Sequence, residues 1–179
     1  MTRQSVPLLA SAGALAFALA APANAATFQF TATLSNLGEP TPTSLATGSA
    51  SFTFDDVAST VFVDEFFNGI ASSMSGNHIH CCTASPGTGS ASIGLNFTGL
   101  ATGTSGHYTN TFTMPVTNFS SLLTGVQAGK AYVNIHTPGA YAIGEIRGFL
   151  APVPEPETYL LMLGGLGLIG WAAQRRPHG

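Results

Sequence analysis

Lys130–Leu150 reads KAYVNIHTPGAYAIGEIRGFL, and its two alternating runs decide the fold class. Ala131, Val133 and Ile135 fall on one side of an extended chain and Tyr132, Asn134 and His136 on the other, the period-two mark of a half-buried strand. Pro138-Gly139 breaks that run. A second strand is predicted from Ala142 to Leu150, with Ile143, Glu145, Arg147 and Phe149 opposite Ala142, Gly144, Ile146, Gly148 and Leu150. The two form an antiparallel hairpin. Gly144 and Gly148 share a face, where absent side chains let another backbone or a large ring sit close.

Working outward, the same alternation recurs. Thr27–Leu34 sets Phe28, Phe30, Ala32 and Leu34 against Thr27, Gln29, Thr31 and Thr33, and Gly48–Phe54 turns Ala50, Phe52 and Phe54 inward until Asp55-Asp56 ends it. A third strand, Ser59–Phe67, leaves open whether Val61, Val63 and Glu65 or Thr60, Phe62, Asp64 and Phe66 face the core. Asn36–Thr47, with Gly38, Pro40 and Pro42, is predicted to be a polar loop. His78-Ile79-His80 is extended, Ser90–Phe97 and Tyr108–Met114 are strands, and Pro115–Thr124 is a helical turn with Asn118 as N-cap. Seven or eight short strands at about ten-residue intervals predict an all-β antiparallel sandwich or flattened barrel.

Composition agrees. Of 179 residues only eight are Asp or Glu and five Lys or Arg. Between Ala26 and Leu150 six acids face Lys130 and Arg147 alone, so no basic patch exists to neutralise a phosphate backbone, and nucleic acid is excluded as a partner.

Both ends are addresses. Met1–Ala25 carries Arg3, an apolar run from Val6 to Ala21 and the small-x-small triplet Ala23-Asn24-Ala25, the features of a signal peptide cut by signal peptidase after Ala25 or Ala26. At the other end stand Val153-Pro154-Glu155-Pro156 in a linker over residues 151–157, an apolar run within Thr158–Ala173, and Arg175-Arg176. A helix of those 16 residues is on the short side for a bilayer, and the arginines would stay cytoplasmic. A permanent C-terminal anchor and a removable tail are both compatible with it. The chain thus divides into a signal peptide (1–25), a β domain (26–150), the linker and a transmembrane tail (158–179).

Two resemblances sharpen this. YVNIHT followed by GEIRG, with Asn77-His78-Ile79-His80 and Phe30-Thr31-Ala32-Thr33-Leu34 upstream, resembles the CHRD domain, first described in chordin, over roughly Thr27–Leu150. Pro154, Glu155, Pro156, the glycine-containing helix and the Arg175-Arg176 tail resemble the PEP-CTERM sorting signal. The second resemblance implies recognition by a membrane-embedded exosortase, a precursor tethered to the inner membrane, and a mature protein on the surface or in the extracellular matrix of a Gram-negative bacterium, beside exopolysaccharide. The first implies a fold but no agreed chemistry. A protein-interaction role like that of chordin towards growth factors rests on fold analogy alone.

Side chains that carry chemistry are few. His78 and His80, two apart on an extended segment, project from one face about 7 Å apart at the backbone. With His136 from a neighbouring strand they make a set suited to zinc or copper, with Glu145 or a cysteine as fourth ligand and His107 as an outlier. His-x-His on a β-sandwich resembles copper-zinc superoxide dismutase, but the further histidines and aspartate of a dimetal site are missing. The competing use is a buried hydrogen-bond network of Asn77, His78, His80, Asn134 and His136. Glu145 and Arg147 are predicted to be an exposed charge pair. For Cys81-Cys82 a vicinal disulfide is the first expectation, ahead of intermolecular bridges and metal ligation. Asp55-Asp56 and Asp64-Glu65 are predicted to be solvated edges rather than calcium ligands. No Gly-x-Ser-x-Gly elbow and no split pair of acids is present, so the expectation is a non-enzymatic domain of the envelope or exopolysaccharide matrix, with a copper- or zinc-binding protein as the alternative.

Overall fold

Alternation along the first three strands builds one sheet, and the quoted hairpin anchors the other. A computed structural model describes residues 26–40, 43–83, 87, 93–154 and 156–174; the signal segment, Glu155, Arg175 and Arg176 lie outside them. Strands β1 (Thr27–Leu34), β2 (Thr47–Asp55), β3 (Thr60–Asn68), β6 (Ser105–Thr113) and the two-residue β9 (Ala151–Pro152) form a sheet in the order β6-β3-β2-β1-β9. β4 (Gly76–Cys81), β5 (Ile93–Asn96), β7 (Ala131–His136) and β8 (Ile146–Phe149) form the second, β5-β4-β7-β8. Every pairing is antiparallel, and the sheets do not close into a barrel, so the expected all-β sandwich is borne out.

The layers meet at one corner. Ser35 and Arg147 exchange backbone hydrogen bonds of 3.0 and 2.9 Å where β1 leaves its sheet and β8 enters the other. Gly148 makes that approach feasible, since a Cβ there would lie 2.3 Å from the Thr33 carbonyl oxygen. Between the sheets Phe30, Phe52, Phe54, Val61 and Val63 pack with Ile79, Val133, Ile135 and Ile146. Helix α1 (Val116–Gln127) adds buried Phe119, Leu122, Leu123 and Val126, its Phe119 ring 6.0 Å from Phe54. Pro115 rather than Asn118 occupies the N-cap position and no side chain caps the helix. A fixed φ just before the first turn pre-organises it without a polar cap.

Several expectations are corrected. β8 begins at Ile146, not Ala142: a 3-10 turn over Gly139–Tyr141 and a left-handed Gly144 (φ +138°) lengthen the hairpin loop. β7 is buried on both faces rather than one, because residues 36–40 lie against its outer side and deliver Glu39 to Asn134. Glu145 and Arg147 are likewise buried and are not each other's partners. Arg147 lies 3.9 Å from Glu39 and over the Tyr132 ring, while Glu145 accepts from Ser44 Oγ, the Ala71 N–H and Thr137 Oγ1. Finally, helix α2 (Pro156–Gln174) forms, but no helix among the described residues is long and apolar enough to cross a membrane. At 1.5 Å per residue its apolar part falls short of a hydrocarbon core about 30 Å thick.

β3 resolves the ambiguous face in favour of Val61, Val63 and Glu65, placing a fully buried carboxyl in the core. Asn77 Nδ2 donates to one of its oxygens. The other oxygen and Asn77 Oδ1 have no hydrogen-bond partner among the described residues. Burial pushes the Glu65 pKa up to about 7 against the opposing Asn77 bond. A protonated Glu65 gains a donor that answers these orphaned oxygens.

Two outcomes follow. Gly148→Ala sets a methyl against an immovable backbone carbonyl and is expected to cost about 1–3 kcal/mol in urea unfolding; an unchanged midpoint would contradict the close approach. Glu65 keeps its proton to about pH 7 when folded and to 4.5 as a free side chain, so the folded state binds more protons and stability falls as pH rises across that window. Glu65→Gln is expected to flatten the slope by up to one proton, read from urea melts between pH 4 and 8, and an unaltered slope would contradict the buried acid.

Candidate metal centre

His78 and His80 alternate with buried Asn77, Ile79 and Cys81 along β4, so their rings lie on the outer face of the four-stranded sheet. Pairing with β7 places His78 opposite Asn134, His80 opposite Tyr132 and His136 opposite Gly76, one diagonal step from His78. Diagonal neighbours on adjacent strands are within reach of long side chains. The three imidazoles converge: one nitrogen of each lies within 4.8 Å of the others. His78 and His80 ring centres are 4.3 Å apart, and His78 and His136 4.6 Å.

Orientation is set by neighbours. His136 Nδ1 lies 3.1 Å from the Ala142 carbonyl oxygen, which holds the proton on Nδ1 and leaves Nε2 with its lone pair. That Nε2 sits 3.2 Å from His78 Nε2. His80 stacks on Tyr132 at 4.7 Å, and Tyr132 in turn lies 4.9 Å beneath the Arg147 guanidinium. Burial, then the neighbouring His80 and His136, push the His78 pKa down to about 4; burial lowers that of His136 against the pull of the Ala142 carbonyl. Both rings are therefore neutral at pH 7, the form that ligates a metal.

The separation of the two Nε2 atoms has a direct chemical meaning. Ligand bonds of about 2.0–2.1 Å spread at the tetrahedral angle put two nitrogens about 3.3 Å apart. The pair thus already stands at the spacing that one zinc or copper ion requires. Three imidazoles and no carboxylate suit those ions rather than calcium or magnesium.

The remaining candidates go elsewhere. His107 lies on β6 in the other sheet, bonded to Asp64 at 2.6 Å and stacked on Phe66. Glu145 is occupied by its three donors and does not join the histidines. Cys81 and Cys82 are bonded to each other and packed against Gly125 of α1, where a Cβ would lie 2.1 Å from Cys81 Sγ, so neither offers a thiolate. Asp55 accepts from the Val57 and Ala58 N–H groups and Asp56 from Ala26, while Asp64 and Glu65 point to opposite sides of β3; neither acid pair converges. The five-residue polar network forms only in part: His78 and His136 share a hydrogen bond between their Nε2 atoms, while Asn77 turns inward to Glu65 and Asn134 outward to Glu39. Sequence reasoning missed the orienting Ala142 carbonyl and the Tyr132 shelf. A backbone oxygen carries no residue signature, and Tyr132 became visible as a neighbour of His80 only through the β4–β7 register.

Comparison with known proteins completes the site. The CHRD domain family model matches residues 28–150, which contain β2 to β8, all but the first residue of β1 and the whole histidine cluster, and the PEP-CTERM protein-sorting motif matches residues 152–176. No curated protein and no solved structure matches the chain. With most of its length matched and a sorting motif behind the last strand, the chain belongs to the CHRD domain family and is an exported, exosortase-sorted protein of the cell envelope.

Proposed function

We propose that this protein is a non-enzymatic component of the envelope or exopolysaccharide matrix of a Gram-negative bacterium, and that its CHRD domain holds one copper or zinc ion on His78, His80 and His136. The 3.2 Å spacing of two neutral Nε2 atoms, one of them aimed by the Ala142 carbonyl, carries the metal reading. Three protein ligands leave a fourth position for water or for a group from a matrix partner. The non-enzymatic reading is supported by the use of the other polar side chains: Glu39, Glu145 and Arg147 are buried and engaged in holding loops, and Asp64 is paired with His107. None is poised as a general acid or base beside the histidines. The matrix reading is supported by the sorting motif and by a domain surface almost without cations, which resists adhesion to nucleic acid.

Purified protein is expected to contain about one equivalent of copper or zinc by elemental analysis. The His78→Ala, His80→Ala double variant loses it while keeping its unfolding transition; equal metal in the variant would refute the site. Cells expressing the full chain are expected to yield a matrix or surface fraction whose C-terminus, by mass spectrometry, lacks Arg175 and Arg176. Recovery of the intact tail would refute processing.

A further inference from the structure

The outer face of the five-stranded sheet lies opposite the core and takes no part in the histidine site. Register aligns its side chains into rows that run across four strands: Thr33, Ser49, Phe66 and His107 in one, and Thr31, Ser51, Asp64 and Thr109 in the next. Hydroxyls dominate. Into this polar field are set two large exposed rings, Phe66 at 53% exposure and Phe62 at 41%, four residues apart on β3 and so about 13 Å from each other.

Phe66 is held as part of a platform. His107 stacks flat on it, ring centres 4.0 Å apart and planes within 2°, and Asp64 fixes the imidazole through a 2.6 Å contact to Nε2. Two shallow depressions flank the ring: one of about 460 Å³ between Ser49, Asn68 and Gly106, and one of about 270 Å³ between Thr31, Thr33, Ser51 and Asp64. Ordinary polar sheet faces carry Lys and Glu to stay soluble. No Lys or Arg alternates to this face, and its two acids are engaged, Asp64 with His107 and Asp55 with the N–H groups of Val57 and Ala58.

We infer that this face binds a neutral polysaccharide, an inference that rests on the proposed placement of the protein in a polymer matrix. Pyranose rings present flat C–H faces to aromatic rings and hydroxyls around their rims, and the sheet offers both complements at once. The charge pattern commits the occupant. An anionic polymer finds no lysine or arginine here and meets the carboxylates of Asp55 and Asp64, and single-stranded nucleic acid, which also stacks on aromatics, needs the basic groove that is missing. A protein partner would need a contiguous apolar centre, whereas the two phenylalanines are separated by Asp64 and the hydroxyls of its row. The spacing of Phe62 and Phe66 suits a chain of several sugars rather than one.

The protein, expressed from the full-length sequence and recovered from its own cells, is tested by affinity electrophoresis in soluble hydroxyethylcellulose and by depletion on insoluble cellulose and chitin, with alginate as the anionic control. Retardation or depletion by at least one neutral polymer is expected, unchanged in about 0.5 M salt, where exposed charges are screened. Phe62→Ala with Phe66→Ala is expected to weaken it about tenfold or more, while the metal content and unfolding midpoint stay as in the wild type. These rings lie on the surface, so the variant keeps its core. No interaction with any of the three neutral polymers, binding equal in the variant, or preference for alginate would each overturn the inference. If the protein is found in the matrix fraction but fails these assays, the face is wrong and the placement survives; if it binds these polymers but is absent from that fraction, the placement is wrong.

Discussion

Everything in this domain depends on the corner where β1 passes from one sheet into contact with β8 of the other. The paired backbone bonds of Ser35 and Arg147, together with the missing side chain of Gly148, bring two separately hydrogen-bonded layers to one fixed relation. Once they are locked there, the inward halves of the alternating strands meet as a dry core and the outward halves are free to differ. A bulkier residue at Gly148 would separate the layers at the point where no rotamer can relieve it.

The same corner gathers the buried polar groups. Arg147 leaves its backbone in the bridge and turns its guanidinium to the Gly38 carbonyl, the Glu39 carboxylate and the Tyr132 ring. Left-handed Gly38 lies against that guanidinium, which suits it to a residue with no side chain. Glu145, Glu39 and Glu65 are three carboxyls removed from water, and amides, hydroxyls and N–H groups serve as their principal partners. Such groups are costly to bury unless satisfied, so each holds its surrounding loop in a single arrangement. This explains how a domain with so few charged residues still has a specific fold: several of the few are inside, acting as fasteners.

The histidine centre is downstream of that fastening. His78 and His80 need only β4, but His136 is brought to them by the β4–β7 register and aimed by the loop that Glu145 ties to Ser44, Ala71 and Thr137. Two layers of the molecule thus present two chemically distinct outer faces, one nitrogen-rich over the four-stranded sheet and one hydroxyl-rich with aromatic platforms over the five-stranded sheet. The core between them keeps the two faces apart.

The amino-acid order alone determined that the domain is all-β and antiparallel, because strict alternation with turn residues between buries one face of each strand. That the strands split into two open sheets rather than closing into a flattened barrel was decided by the tertiary structure. The amino-acid order also determined the sorting motif and the pairing of His78 with His80, since residues two apart on a strand share a face whatever surrounds them. Tertiary structure decided the rest. Whether Glu65 or Asp64 faced the core was undecidable from a strand that is apolar on both sides, and only its neighbours β2 and β6 settled it. Glu39 in a proline-containing loop, and Glu145 with Arg147 on a strand end, looked exposed because nothing local records that Gly38 and Glu39 come to lie against Arg147 and Asn134, or Ser44 against Glu145. Burial is a property of what the chain brings alongside, not of the residue itself, and contacts between positions about a hundred residues apart leave no periodic trace in the order of amino acids.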